Sequence, residues 1–431
     1  MNILIGAILS AGMIIFIPTA APLAQQGWHR QVSGTSHTLN SLKFTELTTG
    51  TVVGDSNIIL HTTDSGETWV AQTTVPFLSL KDICSAGPDT LFAIGMMSVD
   101  PFYATIIRTN DGGNAWAVIY QEMMASFTRI RMCSAMKGFI SGNSGFFGTR
   151  VLRTCDGWGT LEVTNFEFLD PEGHYDESIS FDRAFSDSML GFIAAGIWDG
   201  DGAVGRCDDG GITWSTNFWC DDVLLFAVDC PSHDTIFVAG MSGAIYRSTD
   251  QGESWESLWS GIDDTLYAIS FANNLVGLAV GEAGTIISTT DAGLNWSRQE
   301  SGASRSLRRV QMLSPDVAYV VGDSGTILYT NTGGRPPLGC EYTVGDINGD
   351  GSSNGIDILY GISFFKGGAV PAVDCGAPDG PCPQLSPFYA PGDVNGGCRF
   401  NGIDLTCYVA YLKGLQPRLR WCADCPPTGV R

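Results

Sequence analysis

The residues whose types and spacing most directly suggest chemistry lie near the C-terminus. In GDINGDGSSNGID, Asp346, Asn348 and Asp350 alternate, Gly351 follows, Asn354 comes three residues later and Asp357 closes the stretch. Oxygen donors at positions 1, 3, 5, 9 and 12 of a loop wrap a hard cation such as Ca2+, with glycine at 6 for the sharp turn and a backbone carbonyl, here that of Ser352, at 7. A second copy, GDVNGGCRFNGID, keeps Asp393, Asn395, Asn401 and Asp404. Gly397 and Cys398 replace its position-5 donor and position-6 glycine, so weaker calcium binding is expected there. Another acidic pattern recurs upstream. TTDSGETW, ending at Trp69, is followed by NDGGNAW, DDGGITW, TDQGESW and TDAGLNW, ending at Trp116, Trp214, Trp255 and Trp296. Worn copies surround Asp156 and Asn331. Each aspartate opens a tight turn where it can accept backbone N–H bonds, the glycine supplies a positive φ, and the tryptophan buries a large ring. A group repeated seven times is a structural device, because one active site needs only one copy.

The spacing of these boxes defines the elements that carry them. They recur every 40 to 53 residues, a period that marks a propeller or solenoid. The unit from Ser270 to Gln299 contains four short β-type runs, one propeller blade. The seventh unit stops at TILYTNTGG without its fourth run, while WHRQVSGTSHTLNSL from Trp28 matches WSRQESGASRSLRRV from Trp296. The N-terminal strand is therefore expected to complete the last blade and close a seven-bladed ring, which leaves few exposed edges.

The repeated S/T-x-D-x-G-x-T/S-W resembles the Asp-box (BNR) repeat of sialidases, sortilin-like receptors and the photosystem II stability/assembly factor family. The short blades, the VG-x-x-G turns and the W-x-x-Q strands are most similar to the last of these, over residues 28–334. The resemblance is specific for fold and weak for function. A sialidase-like site would need an arginine cluster, a Tyr/Glu pair and an acid Asp. Arg129, Arg131, Arg183, Arg308 and Arg309 fall on first strands, which line the central channel, but FTRIRM lacks the Arg-Ile-Pro element and no Tyr/Glu pair can be placed.

Blades 2 to 4 break the regularity. MMSVDPFYA, NSGFFG and IWDGDGA lengthen their second-to-third-strand turns, and a long connection, NFEFLDPEGHYDES, joins blades 3 and 4. These segments place Phe102, Tyr103, Phe146, Phe147, Tyr175, Trp198, Asp199 and Asp201 on one rim. Aromatics beside carboxylates on a rigid scaffold suit a glycan or peptide ligand.

The C-terminal repeats, each a calcium loop followed by a single helix with Asp at position 12, resemble dockerin modules. That likeness implies Ca2+ as cofactor and a cohesin-like or other surface or scaffold protein as partner, met through positions 10 and 11, Gly355-Ile356 and Gly402-Ile403. The Pro/Cys-rich insert between the loops is longer than usual for such modules.

Composition bounds the rest. A net charge of −22 argues against nucleic acid, which needs basic patches, and against an anionic membrane surface. Residues 2–17 form an apolar run ended by Pro18 and followed by small residues, as in a signal peptide, although no Lys or Arg precedes it. Seven of the 13 cysteines follow residue 339, a density that favours disulfides after export. The expected organisation is a signal peptide (1–24), a mainly β seven-bladed propeller (25–334), a linker (335–344) and a small α-helical dockerin-like domain (345–431). The expected function is an exported, secreted or surface-attached, non-catalytic binding or scaffold protein with no transmembrane segment after signal cleavage. The alternatives are a sialidase-like glycoside hydrolase targeted by the tail and an extracytoplasmic assembly factor.

Overall fold

The computed structural model describes residues 27–73, 76–97, 100–144, 149–167, 178–186, 189–197, 200–335, 344–347, 352–369, 402–413 and the single positions 389, 394, 415 and 419. They fall into two units, one within 26–336 and one beyond 337.

The first unit is a seven-bladed propeller. Blades 1 to 6 run 39–71, 78–123, 125–167, 178–220, 225–258 and 266–299, each with four antiparallel strands in sequence order. The seventh combines Leu307–Met312, Ala318–Gly322 and Thr326–Gly334 with the N-terminal strand Gly27–Gln31, where His29 faces Tyr329 and Gln31 faces Ile327. Each first strand touches the next, and the last touches the first. The closure expected from the match between Trp28 and Trp296 is present. One further pairing was not expected: the outer strands of blades 3 and 4 lie side by side in parallel, Phe166 opposite Trp214, so the two blades share one eight-stranded sheet.

The core lies between blades rather than within them. Leu39, Leu42, Phe44 and Val52 of blade 1 pack with Tyr319, Val321 and Ile327 of blade 7, and Phe44 stacks on Tyr319 at 3.7 Å. Equivalent clusters join each following pair. Burial of apolar surface at seven seams is what holds the ring together.

The box geometry explains its repetition. Asp64 accepts from the Thr62 hydroxyl (2.7 Å), the Thr68 amide (2.9 Å) and the Thr68 hydroxyl (2.6 Å), while the Gly66 amide donates back to Thr62 Oγ1 (2.9 Å). The same bonds recur around Asp111, Asp156, Asp250 and Asp291. These bonds lower the carboxylates: Asp64, Asp156 and Asp250 fall to about 2, led by the hydroxyl of Thr68, the amide of Thr160 and the hydroxyl of Ser254 respectively. In the worn third copy, Trp158 takes the glycine's place at φ 76° and still donates its amide to Thr154 Oγ1. In the seventh, Thr332 rather than Asn331 stands where the aspartate does, because Gly334 donates to Thr330 Oγ1 as Gly66 does to Thr62.

The second unit contains α1 (Gly355–Phe365) and α2 (Gly402–Leu412), which contact each other over a small core of Ile347, Val394, Leu405 and Tyr408. Cys407, half-buried on α2, carries a free thiol; the other six late cysteines lie outside the described residues. No helix among the described residues is long and apolar enough to cross a membrane.

Candidate functional site

The first strand of every blade lines the channel, and every one of them carries a register shift at the same place: between Leu39 and Ser41, Leu80 and Asp82, Phe127 and Arg129, Ser180 and Asp182, Leu225 and Ala227, Leu266 and Ala268, and Leu307 and Arg309. A β-bulge lets two residues oppose one and re-aims the extra side chain. Here the bulged residues form a ring at the channel mouth, on the face of the second-to-third-strand turns. Asn40, Lys81, Thr128, Phe226, Tyr267 and Arg308 line a cavity of about 420 Å3 there, with Met96, Ser126, Phe127 and Arg129. Phe226 and Tyr267 meet edge to face at 5.8 Å, and the Arg308 guanidinium lies 5.4 Å over the Tyr267 ring. Rim carboxylates orient the cations: Lys81 pairs with Asp55 at 3.0 Å and Arg308 with Asp323 at 3.0 Å. The described lining residues include no carboxylate.

One layer deeper, an ion-pair bar crosses the channel. Asp182 of blade 4 receives Arg309 Nη1 of blade 7 at 3.0 Å, and Arg129 Nε of blade 3 lies 3.6 Å from its other oxygen. The remaining acids of the channel are bound to backbone or hydroxyl groups of neighbouring blades. Asp82 accepts from Ser41 Oγ (2.6 Å) and the Ile130 amide (2.9 Å), and Asp229 from the Phe271 amide (2.7 Å). Burial raises Asp229 above the usual carboxylate range, against the pull of that amide and of Arg131. These carboxylates converge on the channel as staples between blades.

The expectation that blades 2 to 4 thicken one rim is met in part. Their second strands run seven residues, Leu91–Met97, Gly138–Ser144 and Gly191–Ile197, against five in the other blades. In blade 2 the extra sequence prolongs the hairpin, so Tyr103 is a half-buried strand residue between Met97 and Met123, and Phe102 at its end is 40% exposed. Asp201 accepts from the Asp222 amide at 2.7 Å and holds a turn. Phe146, Phe147, Tyr175, Trp198 and Asp199 lie outside the described residues. The arginines expected on first strands are there: Arg129 and Arg308 at the mouth, Arg131 and Arg309 deeper, and Arg183 on the blade 4 strand. Phe226, Tyr267, Lys81 and Asn40 escape a sequence reading because a regular strand would not place them there. A signal existed nonetheless. Gly54, Gly95, Gly142, Gly240, Gly281 and Gly322 sit opposite the bulges, and a Cβ on any of them would lie about 2 Å from a backbone carbonyl such as Thr38 O or Thr265 O.

In the C-terminal unit, Asn354 and Asp357 form a capping box on α1: Asn354 Oδ1 accepts from the Ile356 amide and Asp357 Oδ2 from the Asn354 amide, both at 2.8 Å. Asp346, Asp357 and Asp404 are buried. Tyr408, whose hydroxyl meets Ser353 Oγ at 2.5 Å, is pushed up to about 12 by burial, with Asp357 and Asp346 adding to the rise against the Ser353 bond. In the second copy, the Val394 amide donates to Asp404 Oδ1 at 3.2 Å. Gly355 and Ile356 are exposed at the start of α1; Gly402 and Ile403 begin α2. Ser352 is exposed, and Asn348, Asp350, Asp393, Asn395 and Asn401 lie outside the described residues.

Comparison with known proteins supports the fold. A family model described as photosynthesis system II assembly factor YCF48 matches residues 253–337, from the blade 5 box to the end of blade 7. Among solved structures, "YCF48 bound to D1 peptide" is 19% identical with a TM-score of 0.57, covering 71% of this chain and 97% of that one. YCF48 from Cyanidioschyzon merolae is 17% identical with a TM-score of 0.57, over 70% and 98%. The Niastella koreensis GH74 enzyme is 12% identical with a TM-score of 0.52, over 70% of this chain and 53% of that chain. No curated protein sequence matches the chain.

Proposed function

We propose that this chain is an exported, non-catalytic binding protein that holds an extended peptide at the mouth of its propeller channel and is attached through a calcium-loaded, dockerin-like C-terminal module. The observation that carries the first part is the bulge ring. Two aromatic faces, Phe226 and Tyr267, stand beside Lys81, Arg129 and Arg308 in a cavity of about 420 Å3, a combination of apolar surface with a few oriented polar groups that suits a peptide side chain and its backbone. That a propeller of similar build is described as bound to a peptide agrees with this reading. Glycoside hydrolysis needs two carboxylates flanking the scissile bond, whereas the rim carboxylates at this mouth, Asp55 and Asp323, are paired with Lys81 and Arg308. A role in assembling an extracytoplasmic complex is the form such peptide holding would take.

For the tail, the donor set is all oxygen, which fits a hard cation, and Asp346 and Asp357, the first and last donors of the first loop, are both buried. Asp346, Asn348, Asp350, Asn354 and Asp357 would hold Ca2+ with the Ser352 carbonyl; Asp393, Asn395, Asn401 and Asp404 would form the weaker second site. Gly355, Ile356, Gly402 and Ile403 would face a cohesin-like partner.

A peptide array probed with the full chain tests the first part. Binding to a defined subset of peptides, weakened at least tenfold in both Tyr267→Ala and Arg308→Ala, is expected; turnover of soluble glycans by a chain that ignores peptides would overturn it. Calcium titration tests the second. The melting transition of the C-terminal unit should rise with calcium in the wild type and not in Asp346→Ala.

A further inference from the structure

Below the Asp182 bar the channel opens into a second, polar cavity of about 290 Å3, separate from the mouth. Its charged walls come from four blades: Lys43 of blade 1, Arg131 of blade 3, Asp229 of blade 5 and Arg309 of blade 7, with Asp182 as the roof. The hydroxyls of Ser85 and Ser270 and the amide of Gln311 complete the polar lining. The arginine of the roof is satisfied, because Arg309 donates to Asp182. The other two cations differ. No hydrogen bond or close ion pair of the Lys43 ammonium or the Arg131 guanidinium is found among the described residues, and the two stand near enough for Arg131 to depress Lys43, after burial itself, below the usual lysine range. The nearby acids are hydrogen-bonded to other groups, Asp82 to Ser41 and Ile130, Asp182 to Arg309 and Asp229 to the Phe271 amide, and act on the two cations only through space, Asp82 on Lys43 and Asp229 on Arg131. Like charges gathered in a low-dielectric cavity repel strongly unless an anion lies between them.

We infer that this lower cavity is an anion site, in which Lys43 and Arg131 bind a small oxyanion carrying phosphate-, sulfate- or carboxylate-type oxygens. The guanidinium offers a planar fork and the ammonium a point charge, the complementary pair for such oxygens. Gln311 is held by the Phe44 backbone through both its oxygen and its nitrogen, so it shapes the wall without competing for the ligand. A bound anion would also tie blade 1 to blade 3 across blade 2, so its effect would be read in the stability of the ring.

The full chain would be titrated with sodium phosphate, sodium sulfate and sodium acetate at constant ionic strength, against chloride, with the propeller melting temperature and calorimetric heat as readouts. A saturable rise in melting temperature with a matching one-site heat is expected from at least one anion. Which anions act separates a tetrahedral inorganic ligand from a carboxylate. In Lys43→Met and in Arg131→Met, the saturable response should be lost; in Lys43→Met the melting temperature in chloride should stay equal to or above that of the wild type, because Lys43 is removed from beside Arg131 and Arg309. Lys43→Gln serves as a second variant of smaller apolar burden. No saturable response to any of the three anions, or a response kept in the variants, would overturn the inference.

Discussion

At the scale of the residue, the recurrent W-x-x-Q takes on a purpose that its sequence did not announce. Gln72 of blade 1 accepts from Trp116 Nε1 of blade 2 at 3.1 Å and donates to Gly112 O at 3.2 Å. Gln31 makes the same clasp on Trp69 and Ser65, and Gln299 on Trp28 and Gly333. Where the clasp residue is Leu258, the buried Nε1 of Trp296 has no partner. Replacing Gln72 with Ala should orphan one buried donor and cost about 1–3 kcal/mol in a denaturant titration. The buried Asp182 is more sensitive, since Asp182→Ala strands Arg129 and Arg309 and should cost about 3–5 kcal/mol. The box carboxylates set an acid limit. Their folded values lie below the ordinary one, so their contribution is present above about pH 4 and is lost as pH falls toward about 2. A melting-temperature profile should therefore fall through that window, and the fall should be shallower in Asp250→Asn.

At the scale of the element, strand count and order were legible because a box, a turn glycine and a W-x-x-Q strand each mark one edge of every blade. The extra sequence in blade 2 reads as loop, yet Leu91–Met97 and Tyr103–Thr109 simply extend the hairpin. Met96 and Met97 pair with Ala104 and Tyr103, and length alone does not separate a longer hairpin from a loop. The bulges were illegible as pattern, since a bulge shifts the period by one residue without changing composition. Their partner glycines were the available clue. Gly281→Ala should destabilise the propeller by several kcal/mol, because the new Cβ meets the Thr265 carbonyl rather than a side chain that can move. Gly302→Ala, at an exposed turn, supplies the comparison: it bears only the cost of its positive φ, about 1 kcal/mol. In the C-terminal unit, the capping box on α1 explains why Asn354 and Asp357 stand three residues apart even before any metal is considered.

At the scale of the whole molecule, closure by the N-terminal strand was readable from the likeness of Trp28 and Trp296, and it makes the ring depend on its own first residues. Removing Gly27–Gln31 would expose the Thr326–Gly334 edge, discard the buried Trp28 ring and its bond to Gln299, and leave the Trp69 clasp empty. In a chain beginning after Gln31 the propeller transition should lie roughly 10 °C lower and be broader. The cross-channel bar was beyond a linear reading, because Asp182 and Arg309 stand 127 residues apart and meet only once seven blades are closed in a circle. The same is true of the mouth, to which six blades contribute one bulged residue each among the described residues. The central claim is that this mouth holds peptide. Hydrogen exchange of the full chain, with and without a peptide selected on the array, tests it most directly. Protection gathered on the bulged starts of the first strands, at residues 78–81, 225–227, 266–268 and 307–309, is the predicted result; protection confined to outer strands, or none at a saturating peptide concentration, would contradict it.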